Sequence, residues 1–350
     1  MSEVKRLRWG VIGAGGIADR RTIPGMLGAK NAKLVAVMEV DMANARRLGD
    51  KYGAVFSYDS EAQLLANPEV DAVYIASPVV FHAKQAIMAA DAGKHILVEK
   101  PVAITCDEGQ AVLDRCAKRG VKIAAGLMMR FGAHVLNMKQ AIAEGRIGKV
   151  VSGYSQFTQW MPDDPGNWLQ EKALAGGGSM MDMGIHCIDL MEYITGMRVA
   201  QVGAFNETVV FNYDVEDTST VMMRMENGAQ CVVQTNFNIP DEAAKWRLEI
   251  FGTKGRLMGD TIIGQNDGGK LNAVFMDNVG AFDPTQDHED DVGAELEGSF
   301  GNMYTLEIES FSDSVLYGRP LVVPASDAVH VQQIMEAAYK SSKENRIISL

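Results

Sequence analysis

Residues 8–20 read RWGVIGAGGIADR. Trp9 to Ile12 is a short apolar run of strand type, and glycines follow at 13, 15 and 16 before a segment able to start a helix. The pattern is Gly13-x-Gly15-x-x-Ala18. Gly13 allows a tight turn, Gly15 and Gly16 let the backbone approach a pyrophosphate, and Ala18 lets the helix lie close on the strand. The amides of Gly15, Gly16 and Ile17 then stand at a helix N-terminus, where unpaired N–H groups and the helix dipole favour an anion. The stretch predicts the first strand, turn and helix of a doubly wound parallel sheet with a dinucleotide on the turn. Glycine turns are common, so the neighbouring segments decide.

Those segments agree. KLVAVMEV (33–40) is a second strand ending at Glu39, where a carboxylate can accept both hydroxyls of an adenosine ribose. It repels a 2′-phosphate, and Val40 and Asp41 follow rather than an arginine, so NAD is expected over NADP. Helix ANARRLGDKYG (43–53) leads to AVFSY. The alternation continues through strand VDAVYIAS (70–77), helix FHAKQAIMAADAG (81–93), strand KHILVEKP (94–101), helix CDEGQAVLDRCAKRG (106–120) and strand VKIAAG (121–126). Strand and helix in alternation make βαβ units and a parallel sheet, whose ligands bind beyond the carboxyl ends of the strands. Two such ends are chemically marked, one by Ser77, Pro78 and His82, the other by Glu99, Lys100 and Pro101. All are expected cofactor contacts except Pro101. Lys100 should point into the cofactor cleft. His82 is expected mainly to cap or pack the helix start.

The chain has 350 residues, 47% hydrophobic, and a net charge of −12. That length makes two domains the expectation, divided as 1–127 and 128–350, with the C-terminal helix free to pack back on the first. The acidic balance argues against nucleic-acid partners. Cys106, Cys116, Cys187 and Cys231 lack metal-binding spacing and are expected as reduced thiols, with no metal site. No apolar stretch has the length of a membrane span, and the glycines at 13–16 interrupt any leader-like run, so a cytoplasmic protein is expected. The acidic stretch DPTQDHEDDVGAELEGS (283–299) is expected as a solvated loop.

Beyond residue 127 the pattern changes. KVVSGYSQFTQW, VAQVGAFNETVVF, DTSTVMMRM and QCVVQTNFNI are β-like, with Asn227-Gly228 as a hairpin signal. WRLEIFGTKGRLMGD is a second hairpin, and the segments at 305–318 and 326–342 are helical. This predicts an α+β domain on a large, mostly antiparallel open sheet. Within it, GGGSMMDMGIHCIDL (176–190) sets Asp182, His186 and Asp189 at i, i+4 and i+7, on one face of an expected α-helix. Asp189 is expected to hold a backbone group or a nearby cation. Arg130, Trp160, Asn167 and Trp168 are candidates to line a substrate, the tryptophans because aromatic faces suit sugar C–H faces.

Taken in order, GAGGIA (13–18), ASPVVFH (76–82), EKP (99–101), the 176–190 segment, FGTKG (251–255) and GRPLVVPASDA (318–328) resemble the Gfo/Idh/MocA oxidoreductases over nearly the whole chain. The resemblance implies a Rossmann domain, NAD as cofactor, and a C-terminal sheet that forms homo-dimers or homo-tetramers. It maps the family's catalytic set onto Lys100, Asp182 and His186 and implies hydride transfer between nicotinamide and a secondary hydroxyl or ketone of a sugar, polyol or glycoside, such as C3 of a pyranose. A histidine suits the general base, although either Lys100 or His186 can receive the proton. Asp182 would bind a neighbouring hydroxyl. The alternatives are a glycosidase working by transient oxidation and elimination, and a non-catalytic sugar or NAD sensor.

Overall fold

In the computed structural model the described residues are 5–244, 246–281, 284–285 and 293–350. Of the acidic stretch expected as a loop, residues 283 and 286–292 lie outside them. The first strands are apolar and short, and turn residues stop each one. They run β1 (Leu7–Ile12), a π-helical turn (Ala18–Thr22), α1 (Ile23–Gly28), β2 (Ala32–Met38), α2 (Met42–Tyr52), β3 (Phe56–Tyr58), α3 (Glu61–Ala66), β4 (Ala72–Ile75), α4 (His82–Asp91), β5 (His95–Glu99), α5 (Cys106–Arg119) and β6 (Ile123–Gly126). Helix ends follow local chemistry. Asp41 accepts from Ala43 N to start α2, and Thr105 with Glu108 forms a reciprocal capping box on α5. Gly53 and Gly120 end these helices at positive φ.

The remainder comprises α6 (Ala133–Ala143), β7 (Val150–Thr158), α7 (Lys172–Ala175), a second π-helical turn (Met180–Gly184), α8 (Ile185–Thr195), β8 (Val199–Glu207), β9 (Thr218–Met225), β10 (Gln230–Asn236), β11 (Arg247–Gly252), β12 (Gly255–Asp260), β13 (Lys270–Phe275), β14 (Ala294–Glu295), α9 (Met303–Tyr317), α10 (Ala325–Glu344) and β15 (Ile348–Ser349).

Two units result. The first holds residues up to 128, together with 166–176 and 302–333. Its six parallel strands lie in the order β3-β2-β1-β4-β5-β6. Chain direction across the sheet reverses between β1 and β4, which opens a crevice at their carboxyl ends. The first break in the chain follows Met128, and α9, the first half of α10 and residues 166–176 also belong to this unit. The physical reason is burial. Helices α1 and α9 pack together, and α9 lies on β1 and β2. There the fully buried Trp9 packs on Phe311 with ring centroids 5.3 Å apart, and its indole N–H donates to Ser312 Oγ at 3.2 Å.

The second unit holds 129–165, 177–301 and 334–350. Its nine strands run β14-β13-β12-β11-β7-β10-β9-β8-β15, antiparallel throughout except for the parallel pair β7–β10. Gly228, at φ +89°, makes the β9–β10 hairpin turn. Side chains alternate across the sheet. Gly153, Ser155 and Phe157 of β7 are buried beneath α8, while Ser152, Tyr154 and Gln156 are partly open. Helix and sheet approach so closely that a Cβ on Gly153 would lie 3.0 Å from the Met191 sulfur. On the open face Met222, Val232, Tyr154, Glu249 and Met258 form one cross-strand row. Among the described residues no helix is long and apolar enough to cross a membrane.

Candidate active site

The turn after β1 is fixed by backbone crowding. Gly13 has φ +75°, and a Cβ there would lie 2.7 Å from Ser77 N at the end of β4. No other residue fits that approach. The amides of Gly13 and Ala14 both donate to Met38 O at 3.1 Å, which ties the turn to the end of β2. Gly16 has φ +53° with open space where a Cβ would stand, and Ile17 leads into the first π-turn. Just beyond β2, the Glu39 carboxylate accepts from Gly15 N at 2.5 Å. One turn thus joins an accessible glycine backbone to a carboxylate. That donor set fits a dinucleotide, with the amides of 15–17 for the pyrophosphate and Glu39 for ribose hydroxyls.

The other two marked strand ends are joined by a histidine. His82, almost fully buried, faces Pro101 O through Nδ1 at 2.8 Å and Ser77 O through Nε2 at 2.7 Å. Burial lowers its pKa, and the two carbonyls push the other way. The ring thus bridges the chain just beyond β4 and β5. Glu99 is the last residue of β5. Its carboxylate turns into the unit, accepts from Tyr74 O–H and lies against Gly126. Thr22 in turn donates to the Tyr74 hydroxyl at 2.9 Å. Lys100 follows Glu99 across a half-buried bend with a cis peptide to Pro101. Ser77 donates to Gln85 Oε1 at 2.5 Å, and Pro78 opens the turn into α4.

In the second unit the 176–190 segment is not one α-helix. Met180–Gly184 form a π-turn and α8 starts at Ile185. The wider turn changes the angular step between Asp182 and His186. Asp182 is half-buried, His186 is 4% exposed, and Asp189 is 1% exposed. Asp189 meets the cation expected for it. Arg130 donates to it through Nε at 2.9 Å and Nη2 at 2.5 Å, and the guanidinium stacks over Tyr193 at 4.6 Å. Arg130 is thereby held in a buried ion pair.

The remaining candidates fall in different places. Trp160, 43% exposed, stands edge-on to Phe211 with centroids 5.4 Å apart, and Phe211 packs on Tyr213. Asn167 and Trp168 belong to the first unit, where the Asn167 side chain caps a short turn by accepting from Leu169 N at 3.2 Å. Trp168 is half-buried in that turn.

Sequence reasoning missed two carboxylates at the head of β9. Glu216 accepts from Gly178 N and Met180 N, and Asp217 accepts from the amides of Val209, Val210 and Phe211. The two carboxyls shift in opposite directions. For Asp217 the amide donors outweigh burial and hold the carboxyl below its usual range. For Glu216 burial outweighs the donors and pushes the carboxyl up. Nothing in DVEDTST signals either role: Glu216 meets amides 38 and 36 residues before it, and Asp217 meets loop amides that no strand or helix pattern marks.

Two family models match the chain. One describes an oxidoreductase family with an NAD-binding Rossmann fold and matches residues 7–127; the other describes the GFO/IDH/MocA C-terminal domain and matches 135–258. The chain belongs to the GFO/IDH/MocA family. Among its relatives are a myo-inositol 2-dehydrogenase of Thermotoga maritima, 28% identical over 98% of both chains, and a D-glucoside 3-dehydrogenase of Escherichia coli, 25% identical over 98% of this chain and 97% of that one. The crystal structure of an aldose-aldose oxidoreductase from Caulobacter crescentus superposes with a TM-score of 0.88 at 26% identity, covering 99% of this chain and all of that one. As a GFO/IDH/MocA member the chain is an NAD-binding oxidoreductase, and the first unit is its Rossmann domain.

The Arg130–Asp189 pair generates a stability test. Asp189→Ala leaves a buried guanidinium uncompensated and should cost about 3–5 kcal/mol in urea unfolding. Arg130→Met with Asp189→Leu should recover much of that loss. An Asp189→Ala loss under about 1 kcal/mol would show that the pair is solvated.

Proposed function

We propose that this protein is an NAD-dependent dehydrogenase acting on a secondary hydroxyl of a sugar, polyol or glycoside, with C3 of a pyranose as the favoured position. The observation that carries it is the extent of similarity. The match to two dehydrogenases of such compounds runs over 98% of the chain, and so includes the second unit with Asp182 and His186. Because both relatives are named dehydrogenases, net oxidation is favoured over elimination of an aglycone.

The residue roles follow from the chemistry. Oxidising a secondary alcohol removes the hydroxyl proton and the carbon-bound hydrogen with its electron pair, leaving a ketone. A bound nicotinamide supplies the acceptor for that hydride. His186 takes the hydroxyl proton, since an imidazole works near neutral pH and such a base contributes about 10²–10⁴ in rate. Lys100 donates a hydrogen bond to the same oxygen and favours its developing negative charge. Asp182 accepts from a neighbouring hydroxyl and orients the ring. The same residues serve ketone reduction in reverse. Glu39 selects NAD, because its carboxylate accepts ribose hydroxyls and repels a 2′-phosphate.

The open face of the second unit supports assembly as a homo-dimer or homo-tetramer. It sets Met222, Val232, Tyr154 and Met258 among arginine, glutamate and glutamine side chains, a mixture typical of interfaces. The four free cysteines suit a reducing, cytoplasmic setting.

Three outcomes are expected. Lys100→Ala and His186→Ala should each lower kcat by about 10²-fold or more in an NADH absorbance assay over a panel of inositols, aldoses and glycosides, while NAD still binds by calorimetry. Near-normal turnover in both would sink the assignment. Glu39→Ala should weaken NAD binding while leaving NADP binding the same or tighter; equal losses for the two would mean that the ribose contact is elsewhere. Light scattering at micromolar concentration should give a mass of two or four chains, and a monomer mass would remove the interface.

A further inference from the structure

We propose that Glu216 is the positioning residue of the active-site helix, a remote cap that holds the π-turn carrying Asp182 and leading into His186. The inference rests on the roles given above to Asp182 and His186. A helix start has N–H groups with no partner inside the helix, and a local side chain usually takes one of them. Here the local cap is absent. Ser179, at the cap position, makes no capping bond, and its hydroxyl goes instead to Thr235 O at 3.2 Å. Three consecutive amides go to a single residue on another loop. Gly178 N donates to Glu216 Oε2 at 2.9 Å, Met180 N to Oε1 at 3.0 Å, and Ser179 N to the Glu216 carbonyl at 3.0 Å. Tyr339 of α10 donates its hydroxyl to Oε1 at 2.9 Å and so anchors the carboxylate from a third element.

The glycines at 177 and 178 exist for this contact. A Cβ on Gly178 would stand 2.0 Å from the Glu216 carbonyl oxygen, and one on Gly177 would stand 2.0 Å from the Tyr339 hydroxyl. The glycine run at 176–178 is therefore closed by the protein's own carboxylate. A local cap would fix only where the helix begins. A cap from the β8–β9 loop, braced by α10, also fixes the turn in space and in phase. The phase matters because the π-turn sets the direction of Asp182 relative to His186. Catalytic groups displaced by about 1 Å can lose about 10²-fold in rate, so the constraint acts on turnover as well as on folding.

The test uses Glu216→Gln and Tyr339→Phe in the full-length protein. The amide keeps one acceptor and turns an NH2 toward a peptide N–H. Hydrogen exchange of the peptide covering 177–186 should accelerate in Glu216→Gln, and to a smaller extent in Tyr339→Phe, while peptides of the first unit and NAD affinity stay unchanged. With a substrate from the panel, kcat should fall about 10- to 100-fold in Glu216→Gln well below its melting temperature. Tyr339→Phe should show an intermediate loss, and it decides the matter alone if Glu216→Gln does not fold. Unchanged exchange at 177–186, or wild-type kcat in folded variants, would overturn the proposal. Full activity in Glu216→Gln beside an inactive His186→Ala rejects the clasp alone. Full activity in His186→Ala rejects the catalytic roles on which it rests.

Discussion

Peptide N–H groups at a helix start need an acceptor, and this protein sends them to different places in its two units. Each important helix follows a glycine-rich turn and opens with a π-turn, at Ala18–Thr22 and at Met180–Gly184. In the first, Glu39 takes the Gly15 amide and Gly16 stays exposed. That arrangement suits an external anion flanked by hydroxyl groups. In the second, the amides are consumed internally by Glu216, so the turn becomes a rigid mount for side chains. Two glycine runs that look alike thus do opposite work, and the difference lies in what faces them.

Much of the fold was legible because its signals are local. The β1 turn, the alternation through residue 126 and the Asn227-Gly228 hairpin follow from short-range periodicity and turn chemistry. Glu39 was legible because a strand end is a fixed distance from the turn in a βαβ unit. What stayed hidden depends on residues far apart. The ion pair of Arg130 with Asp189 spans 59 positions, and only packing tells a buried guanidinium from one facing a ligand. His82 looked like a helix-start residue, yet its ring joins two strand ends. The π-turn escaped because an i, i+4 pattern is read as α-helix by default, and the contacts at its start run to Glu216 and to Thr235 of β10, far along the chain. For the same reason Glu216 and Tyr339 carried no signal.

Charge is rationed between rigid and responsive positions. Asp189 is fully buried and bound to a guanidinium, a pairing that holds α8 in place but is closed to substrate. Asp182, seven residues earlier, keeps partial access. In the Rossmann unit Glu99 is closed within a chain of hydroxyls through Tyr74 and Thr22, while the adjacent Lys100 is half-open. In both units a sequestered carboxylate stands beside the group to which chemistry is assigned, so the frame and the reactive group are separate residues.

The return of α9 to the first sheet has a consequence for synthesis. Trp9 leaves the ribosome about three hundred residues ahead of its buried partners Phe311 and Ser312. At the usual pace of elongation, about 5–20 residues per second, the nucleotide-binding half must wait many seconds with an apolar face of its sheet open. A fragment ending near residue 128 would keep that defect permanently. The order of strands suggests a domain that folds first, but the packing makes it one that finishes last.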